Sequence, residues 1–154
     1  IPLKIMFPNL KVVLLDSLNK RLKFLDSIID ELQLTDISTI HGRAEDIGKD
    51  IEYREKFDVC VSRAVANLST LSEYCIPFIS VGGEFISYKS EFSEEEKRGA
   101  EKAINFLGGS IKKSVIVELP YSEINRSFIF IDKKNKTPNK YPRKAGVPSK
   151  KPIK

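Results

Sequence analysis

Lys11-Val-Val-Leu-Leu-Asp16 and the residues that follow it decide the fold. The quoted run is apolar and ends on an acid, which predicts a short strand. Apolar residues then recur at helical spacing: Leu18, Leu22, Leu25, Ile28, Ile29 and Leu32. Ser17 lies between the two patterns and is a candidate N-cap for the helix. A strand that leads directly into an amphipathic helix is typical of α/β proteins with parallel sheets.

The rest of the chain continues this alternation. The further predicted strands are Ile37–Gly42, Phe57–Arg63, Glu84–Lys89, Ser114–Leu119 and Arg126–Ile131. Helices are predicted from Leu68 to Ile79 and, with the apolar stripe Ala100, Ala103, Ile104 and Leu107, before Gly108-Gly109. The link between the last two strands is too short for a helix, so these strands should be antiparallel. The sequence therefore predicts an α/β fold with a mostly parallel, doubly wound sheet that ends in an antiparallel hairpin.

Local signals predict where these elements begin and end. The expected boundaries are a capping box of Thr70 with Glu73, a helix end or kink at Pro77, a turn at Gly82-Gly83, and a capping box of Ser93 with Glu96.

The composition excludes several classes of protein. The chain has 154 residues, of which 41% are hydrophobic and 31% charged, and this suits one folded domain. No run approaches the roughly 20 apolar residues of a membrane span, so no membrane partner is expected. Cys60 and Cys75 cannot form a disulfide framework, and neither lies at metal-ligand spacing from another Cys or His. We therefore expect both cysteines to be buried and no metal to be bound. The absence of a disulfide framework also predicts a cytoplasmic protein. The chain begins with Ile1 and shows no targeting segment, and its true start is expected to be missing.

The net charge of +5 is distributed unevenly. Residues 133–154 contain nine basic residues and no acid, together with four of the eight prolines, whereas residues 1–132 carry 17 basic and 21 acidic residues. Such a segment has too little apolar surface to form a core of its own. We therefore divide the chain into a domain, residues 1–132, and an extended basic, proline-rich arm, residues 133–154. The arm is either a solvated terminus or a nucleic-acid-binding segment.

Ligands of open parallel sheets bind beyond the carboxyl ends of the strands, which directs attention to Asp16. Its carboxylate could accept hydrogen bonds from both hydroxyls of a ribose, or it could simply cap the next helix. No glycine precedes Asp16, although a phosphate-binding glycine loop would lie about 20 residues upstream. This argues against a nicotinamide-dependent oxidoreductase, because the pyrophosphate depends on that loop.

The remaining reactive residue types have ordinary structural interpretations. His41 is the single histidine of the chain, and no nucleophile is paired with it by any motif, so we expect a structural role. The paired carboxylates Glu52 and Glu55, and those of residues 94–96, are interpreted as solvated faces or helix starts.

Five blocks of the sequence together resemble one family. They are Lys11-Val-Val-Leu-Leu-Asp-Ser-Leu-Asn-Lys-Arg-Leu-Lys-Phe-Leu25, His41-Gly-Arg-Ala-Glu-Asp46, Tyr53-Arg-Glu-Lys-Phe-Asp58, Ser62-Arg-Ala-Val-Ala-Asn-Leu68 and Tyr141-Pro-Arg-Lys-Ala-Gly-Val-Pro-Ser-Lys150. The chain resembles, from end to end, the bacterial methyltransferases that modify guanine N7 in 16S ribosomal RNA, historically called glucose-inhibited division protein B. The resemblance implies a class I S-adenosylmethionine-dependent fold, with S-adenosylhomocysteine as product, and 16S ribosomal RNA or the small ribosomal subunit as partner of a monomer.

The resemblance also implies roles for individual residues. The residues implied in cofactor binding are Asp16 and Ser17 at the ribose, Ala44 and Glu45 on the adenine side, and Arg63 at the end of its strand. The RNA contacts are expected from Lys89, Lys140, Tyr141, Arg143, Lys144 and Lys150. Guanine N7 offers a ring lone pair, so methyl transfer needs positioning and no proton removal, and no catalytic residue is assigned. The chain also lacks the Asn/Asp-Pro-Pro-aromatic turn that similar enzymes use for exocyclic amines, which favours a ring nitrogen.

The sequence departs from this family in two places. The first strand and glycine loop that the family has upstream of Ile1 are missing, so the central strand of the sheet is expected to be missing from this chain. Lys89-Ser90 stands where the family usually has Lys-Gly. The alternative to an enzyme is therefore an inactive fragment that only binds RNA through its basic arm.

Overall fold

The computed structural model describes residues 1–63, 66–90 and 94–153. Its contacts separate into two units, Ile1–Ala44 and Glu45–Lys154, which are described in turn. Within the described ranges, the helices are all too short or too polar to cross a membrane.

The first unit is a βαβ unit preceded by a short helix. Its elements are α1 (Pro2–Met6), β1 (Val12–Asp16), α2 (Asn19–Glu31) and β2 (Ile37–His41). The two strands are parallel, with Val12 opposite Ile37 and Asp16 opposite His41. Leu22 of the predicted apolar stripe is buried, and Leu25, Ile28 and Ile29 are half-buried. The predicted strand and helix over residues 11–32 are confirmed, whereas Leu18 and Leu32 of the predicted stripe are exposed.

The predicted N-cap at Ser17 is wrong by one residue. The capping position of α2 is Leu18, in an extended conformation and with no side-chain cap. The Leu18 amide instead donates to the Asp16 carboxylate at 2.8 Å. Asp16 thus satisfies the donor that a serine cap would have served, because its side chain reaches two residues forward along the chain.

The second unit contains a mixed sheet and the remaining helices. Its elements are β3 (Phe57–Arg63), α4 (Leu68–Cys75), a 3-10 turn (Ile76–Phe78), β4 (Ile79–Lys89), α5 (Glu94–Phe106), β5 (Gly109–Glu118), β6 (Asn125–Lys133) and α6 (Val147–Lys150), and α3 (Ala44–Ile47) lies at the boundary with the first unit. The strands lie in the order β3-β4-β6-β5. β3 and β4 are parallel, while β6 is antiparallel to both β4 and β5. The predicted element order and the final hairpin are confirmed.

The strands form two sheets in the described residues, β1-β2 and β3-β4-β6-β5, where the sequence alone suggests one. A central strand of a parallel sheet forms hydrogen bonds on both of its edges.

The core of the second unit lies on one face of its sheet. Phe85, Ile129 and Ile131 point to this face and are fully buried beneath α4 and α5. The predicted stripe of α5 is buried there as well: Ala100, Ala103, Ile104 and Leu107. On the other face Val59 and Val61 stay exposed, so the strands alternate between covered and uncovered side chains.

Helix α4 begins at a different cap from the predicted capping box, but it ends where Pro77 predicts. Its N-cap is Asn67, whose side chain accepts the Thr70 amide at 2.9 Å. Glu73 does not reach back to the start of the helix but binds Arg143, so the predicted Thr70–Glu73 box is wrong. The prediction for Pro77 is confirmed, because the α-helix ends at Cys75 and a 3-10 turn containing Pro77 follows.

The two glycine pairs differ in their roles. β4 starts at Ile79, so Gly82-Gly83 lies inside the strand, where the register against β3 shifts, and does not precede it as predicted. A Cβ on Gly83 would lie 2.4 Å from the Asp58 carbonyl oxygen, which explains the need for glycine there. Gly108 follows α5 with a φ of +89°, and the predicted helix end is confirmed. The predicted cap Ser93 lies outside the described residues.

The extended arm predicted at the C-terminus is wrong for residues 134–153, here called the C-terminal segment. β6 continues to Lys133, and the C-terminal segment then packs against the second unit and ends with α6. Thr137, Pro142 and Pro148 are buried. The segment does not form a core of its own, but it docks through hydrogen bonds to acids and an arginine of the domain, which composition does not reveal.

Candidate functional site

Asp16 ends β1 as predicted and has partners inside its own unit. One carboxylate oxygen accepts the Leu18 amide at 2.8 Å, and the other lies 3.3 Å from the Arg21 guanidinium. The cap-like interpretation of Asp16 is thus seen in the structure. Its side chain is 24% exposed, and each carboxylate oxygen has two lone pairs, so it can still accept hydrogen bonds from a ligand.

Ser17 and Ala44 lie beyond the carboxyl ends of β1 and β2. Ser17 is exposed, and its carbonyl oxygen accepts from His41 Nε2 at 3.1 Å. This contact gives His41 the structural role that the sequence suggested. Ala44 begins α3 and is half-buried.

Glu45 lies in α3 and is buried, although it is charged. One carboxylate oxygen accepts the Gly146 amide of the C-terminal segment at 2.8 Å. The residue that the resemblance assigns to the cofactor therefore also holds the C-terminal segment.

Arg63 and Lys89 lie at the carboxyl ends of the parallel strands β3 and β4. Arg63 is exposed and lies opposite Tyr88 in the register. Lys89 is 14% exposed, and its ammonium group contacts Glu96 at 2.6 Å and the Ala66 carbonyl at 3.2 Å. Lys89 is thus engaged within the chain, whereas Arg63 presents its guanidinium to solvent.

The C-terminal segment is held most tightly at Arg143. The buried carboxylate of Glu73 accepts the Arg143 amide at 2.8 Å, Nε at 2.9 and 3.1 Å, and Nη2 at 2.6 Å. These bonds raise the pKa of Arg143, chiefly through the hydrogen bond with Glu73. Arg143 is therefore an anchor of the segment.

Two further side chains hold the start of the C-terminal segment. Arg54 donates to the carbonyl oxygens of Thr137 at 2.7 Å and Tyr141 at 2.8 Å. Glu55 accepts the Thr137 amide at 2.7 Å and lies 3.3 Å from the ammonium group of Lys133. The prediction that Glu55 belongs to a solvated face is wrong, because it pairs with a buried lysine.

The remaining basic residues of the segment face solvent. Lys140, Lys144 and Lys150 are exposed. Tyr141 packs against the core cluster, and the Lys140 ammonium lies 5.2 Å from its ring centroid. This position leaves Tyr141 less available for stacking on a base than the sequence suggested.

The other reactive residues show no catalytic arrangement. Cys75 is buried and Cys60 packs against the same core. Hydrogen bonding to Cys60, and then burial, raise the pKa of the Cys75 thiol well above its ordinary value, which keeps it protonated. In the part of the chain that the structure describes, no group of three or more His, Cys, Asp or Glu side chains could hold a metal ion.

A shallow depression lies beside the start of β4, away from the carboxyl ends of the strands. Asp58, Gly83 and Glu84 line it, and Lys112 spans it with contacts to Glu84 at 3.0 Å and Asp132 at 3.4 Å. Its lining carries three acids, Asp58, Glu84 and Asp132, against the single lysine Lys112, and it does not include the predicted site residues.

The family model described as GidB, rRNA small subunit methyltransferase G, matches residues 1–125. The chain belongs to this family. The match covers most of both units, and it agrees with the family resemblance of the sequence blocks.

Curated relatives of the family have the same name, ribosomal RNA small subunit methyltransferase G. The protein of Acetivibrio thermocellus is 55% identical over 153 residues, and that of Alkaliphilus metalliredigens is 51% identical over 154 residues. The protein of Staphylococcus aureus strain Newman is 53% identical over 153 residues. These alignments cover 99 to 100% of this chain and 63 to 64% of the relatives. The chain thus spans less than two thirds of the length of these methyltransferase G proteins.

Solved structures show the same fold at low sequence identity. A SAM-dependent methyltransferase from Methanosarcina mazei is 11% identical, with a TM-score of 0.65 and 87% of each chain covered. An rRNA methylase from Streptococcus thermophilus is 14% identical, with a TM-score of 0.57, and the match covers 81% of this chain and 74% of that one. These likenesses establish the class I methyltransferase fold for this member of the methyltransferase G family.

Several residues that hold the C-terminal segment were missed by sequence reasoning. Arg54 and Glu55 stand in a block that carried the family resemblance, but Arg54 had no assigned role and Glu55 was interpreted as part of a solvated face. Glu73 was interpreted as a capping residue. An acid within a predicted helix, and a basic tail without acids, were the available signals, but neither shows that the two would pair.

Proposed function

We propose that this chain is the methyltransferase part of an S-adenosylmethionine-dependent enzyme that methylates guanine N7 in 16S ribosomal RNA. The observation that carries the proposal is the family match over residues 1–125, together with identities of 51 to 55% to ribosomal RNA methyltransferases over almost the whole chain. The inactive RNA-binding fragment is less favoured, because that alternative requires only the basic segment to resemble the family.

The residues present suit S-adenosylmethionine by the chemistry of their donor and acceptor groups. Asp16 keeps acceptor capacity for the hydroxyls of a ribose, and we propose that Ser17 lies beside it there. Ala44 and Glu45 begin a short helix, where an adenine could meet backbone amides and a carboxylate. We propose that Arg63 also contacts the cofactor, because its exposed guanidinium lies at the carboxyl end of β3.

The proposed reaction asks little of the protein beyond positioning. Bound S-adenosylmethionine supplies a methyl group on an electrophilic sulfonium. Guanine N7 would form the new bond to this methyl group with its ring lone pair as the sulfonium–methyl bond breaks, which would release S-adenosylhomocysteine and leave the positive charge on the guanine ring. No side chain would have to take a proton, so the contribution of the protein would be alignment.

For the RNA, we propose that the exposed cations of the C-terminal segment contact the phosphate backbone. Lys140, Lys144 and Lys150 are exposed on a docked segment. Lys89 and Arg143 bind acids of the same chain, so we assign them supporting roles. Because phosphate contacts release counterions, each of the three lysines should contribute to the salt dependence of binding.

Methyl transfer tests this proposal. The chain is incubated with methyl-labelled S-adenosylmethionine and either 16S ribosomal RNA or isolated small ribosomal subunits, with 23S ribosomal RNA as the control. We expect label in the small-subunit RNA only. RNA that stays unlabelled, while the same RNA binds the chain with an affinity that S-adenosylhomocysteine does not change, would favour the RNA-binding fragment instead.

The same proposal gives the protein its setting. An enzyme that acts on ribosomal RNA would work in the cytoplasm, where ribosomes assemble, and as a monomer. Sedimentation equilibrium should return a mass near 17.5 kDa for this chain, and a concentration-dependent dimer mass would contradict the monomer.

A further inference from the structure

The C-terminal segment is fixed in position by side chains from the rest of the second unit. Its bonds to the rest of the second unit come from carboxylates and a guanidinium: Glu45 to Gly146, Glu55 to Thr137, Glu73 to Arg143, and Arg54 to the carbonyls of Thr137, Pro138 and Tyr141. Several of these partners are separated by 70 or more residues in sequence. A solvated tail gains nothing from such contacts, so the position of the segment is itself under structural control.

Arg143 binds Glu73 through its backbone amide, Nε and Nη2. Both its guanidinium and its backbone amide bind Glu73, whose side chain is 0% exposed. If Arg143 turned toward a phosphate, it would leave the Glu73 charge buried without a partner, which is strongly unfavourable. Arg143 must therefore act through the geometry it imposes on the chain.

The bond to the backbone amide of Arg143 fixes the main chain between the exposed lysines. Lys144 follows Arg143 directly and Lys140 precedes it by three residues. The Gly146 amide is held by Glu45 just before the helix that carries Lys150. The points from which these three side chains project are thus set by buried acids. Glu73 contributes both the backbone bond and the guanidinium bonds at the centre of this arrangement.

We propose that Glu73 is a positioning residue for RNA: it holds the C-terminal segment through Arg143 so that Lys140, Lys144 and Lys150 face the phosphate backbone together. The inference rests on the proposed RNA substrate and adds a residue that does not touch RNA. Preorganised cations bind a polyanion more tightly than the same cations on a mobile chain, because less conformational entropy is lost on binding.

This role predicts a change in RNA affinity opposite to the change that net charge alone would cause. Removing an acid from a protein ordinarily strengthens its binding to RNA, since the net charge becomes more positive. Glu73→Gln should do the opposite and weaken RNA binding about tenfold, because a neutral amide cannot hold the guanidinium as the carboxylate does. Glu101→Gln is the matched control, an equal charge change at an exposed position of α5.

The experiment measures three quantities on the full chain. They are the affinity for a 16S ribosomal RNA transcript, the slope of log affinity against log salt, and the hydrogen exchange rates of the Arg143 and Gly146 amides without RNA. We expect Glu73→Gln to lose affinity, to flatten the slope by at least one contact, and to accelerate both amides. Glu101→Gln should leave the exchange rates unchanged and bind RNA as well as the wild type or better.

Other results overturn the proposal in distinguishable ways. If exchange accelerates but RNA affinity matches that of Glu101→Gln, the segment is anchored without serving RNA. If exchange does not change, Glu73 is not the anchor. If the wild type shows no salt-dependent RNA binding, the RNA substrate itself fails, while the exchange rates still report on the anchor.

A second variant covers the case in which Glu73→Gln does not fold. Arg143→Lys keeps the net charge but cannot form the two-pronged contact of a guanidinium with Glu73. We expect it to weaken RNA binding several-fold at unchanged charge and to accelerate the Gly146 amide. RNA binding equal to that of the wild type would overturn the positioning role.

Discussion

Lys133 offers the sharpest test of the packing beneath the C-terminal segment. Its side chain is 0% exposed, and its ammonium group is surrounded by the carbonyl oxygen of Ile76, the hydroxyl of Thr137 and the carboxylate of Glu55. Burial lowers the pKa of Lys133 from 10.5 to about 8, although the Glu55 carboxylate opposes this shift. The folded protein therefore carries this charge at a cost in free energy.

The sign and size of the pH effect follow from this shift. Below pH 8 both the folded and the unfolded states hold the proton, so the cost is present in full. Between pH 8 and 10.5 the folded state releases the proton while the unfolded state keeps it, and the free energy of unfolding rises. One pKa unit corresponds to about 1.4 kcal/mol, so Lys133 should add roughly 2.5 kcal/mol to the stability between pH 7 and pH 10.

The assay is urea unfolding followed by circular dichroism at pH 7, 8, 9 and 10, with linear extrapolation to water. Lys133→Met removes the titrating group, and Lys136→Met is the control at an exposed position nearby. We expect the stability difference between the wild type and Lys133→Met to change by roughly 2.5 kcal/mol in favour of the wild type from pH 7 to pH 10. A stability difference between the wild type and Lys133→Met that is constant over this range, as expected for Lys136→Met, would refute a buried Lys133 with a lowered pKa.

Four other variants test the cofactor site, the end of α5 and the cap of α4. Arg63→Ala should weaken binding of S-adenosylhomocysteine at least tenfold in isothermal titration calorimetry, and an unchanged affinity would remove Arg63 from the cofactor site. Gly108→Ala should lower the free energy of unfolding by more than about 1 kcal/mol, because φ is +89° and the new Cβ would lie 2.2 Å from the Asn135 carbonyl oxygen. Gly99→Ala is the control within α5, where the new Cβ meets open space, and it should raise the free energy of unfolding by up to about 1 kcal/mol. Asn67→Ala removes the cap of α4 and should cost about 1 kcal/mol in chemical unfolding, and a loss below about 0.3 kcal/mol would show that another group serves the Thr70 amide.

Periodic patterns predicted the elements that bury one face. The run from Lys11 to Leu32 produced β1 and α2, and the stripe from Ala100 to Leu107 produced α5. These elements depend on neighbouring residues in sequence, so their signals are local. The predicted cap at Ser17 was wrong because the Asp16 side chain accepts the Leu18 amide. The predicted turn at Gly82-Gly83 was wrong because these glycines lie at a register shift inside β4.

The C-terminal segment could not be predicted in the same way. Its charge and prolines correctly exclude an independent core. They do not reveal that Glu55, Glu73 and Arg54 form hydrogen bonds with the segment. Each of these pairs joins residues more than 65 positions apart. A single sequence contains no periodic signal for such contacts, and the buried acids were assigned to surfaces or caps as a result.

The residues proposed to bind the cofactor illustrate a different limit. Asp16 was singled out from its place at the end of a strand, and the structure places it there with acceptor capacity to spare. Ala44, Glu45 and Arg63 entered through the family resemblance, because a backbone contact or one exposed guanidinium leaves no pattern of its own. Their roles stay predictions until the cofactor is bound.

The identity of the methylated nucleoside tests the central claim most directly. 16S ribosomal RNA treated with the chain and S-adenosylmethionine is digested to nucleosides and analysed by mass spectrometry with chromatographic standards. The account predicts 7-methylguanosine that increases with time and is absent without the chain. Methylation of an exocyclic amine, such as N2-methylguanosine, or no methylated product under conditions where the chain binds S-adenosylhomocysteine, would contradict it.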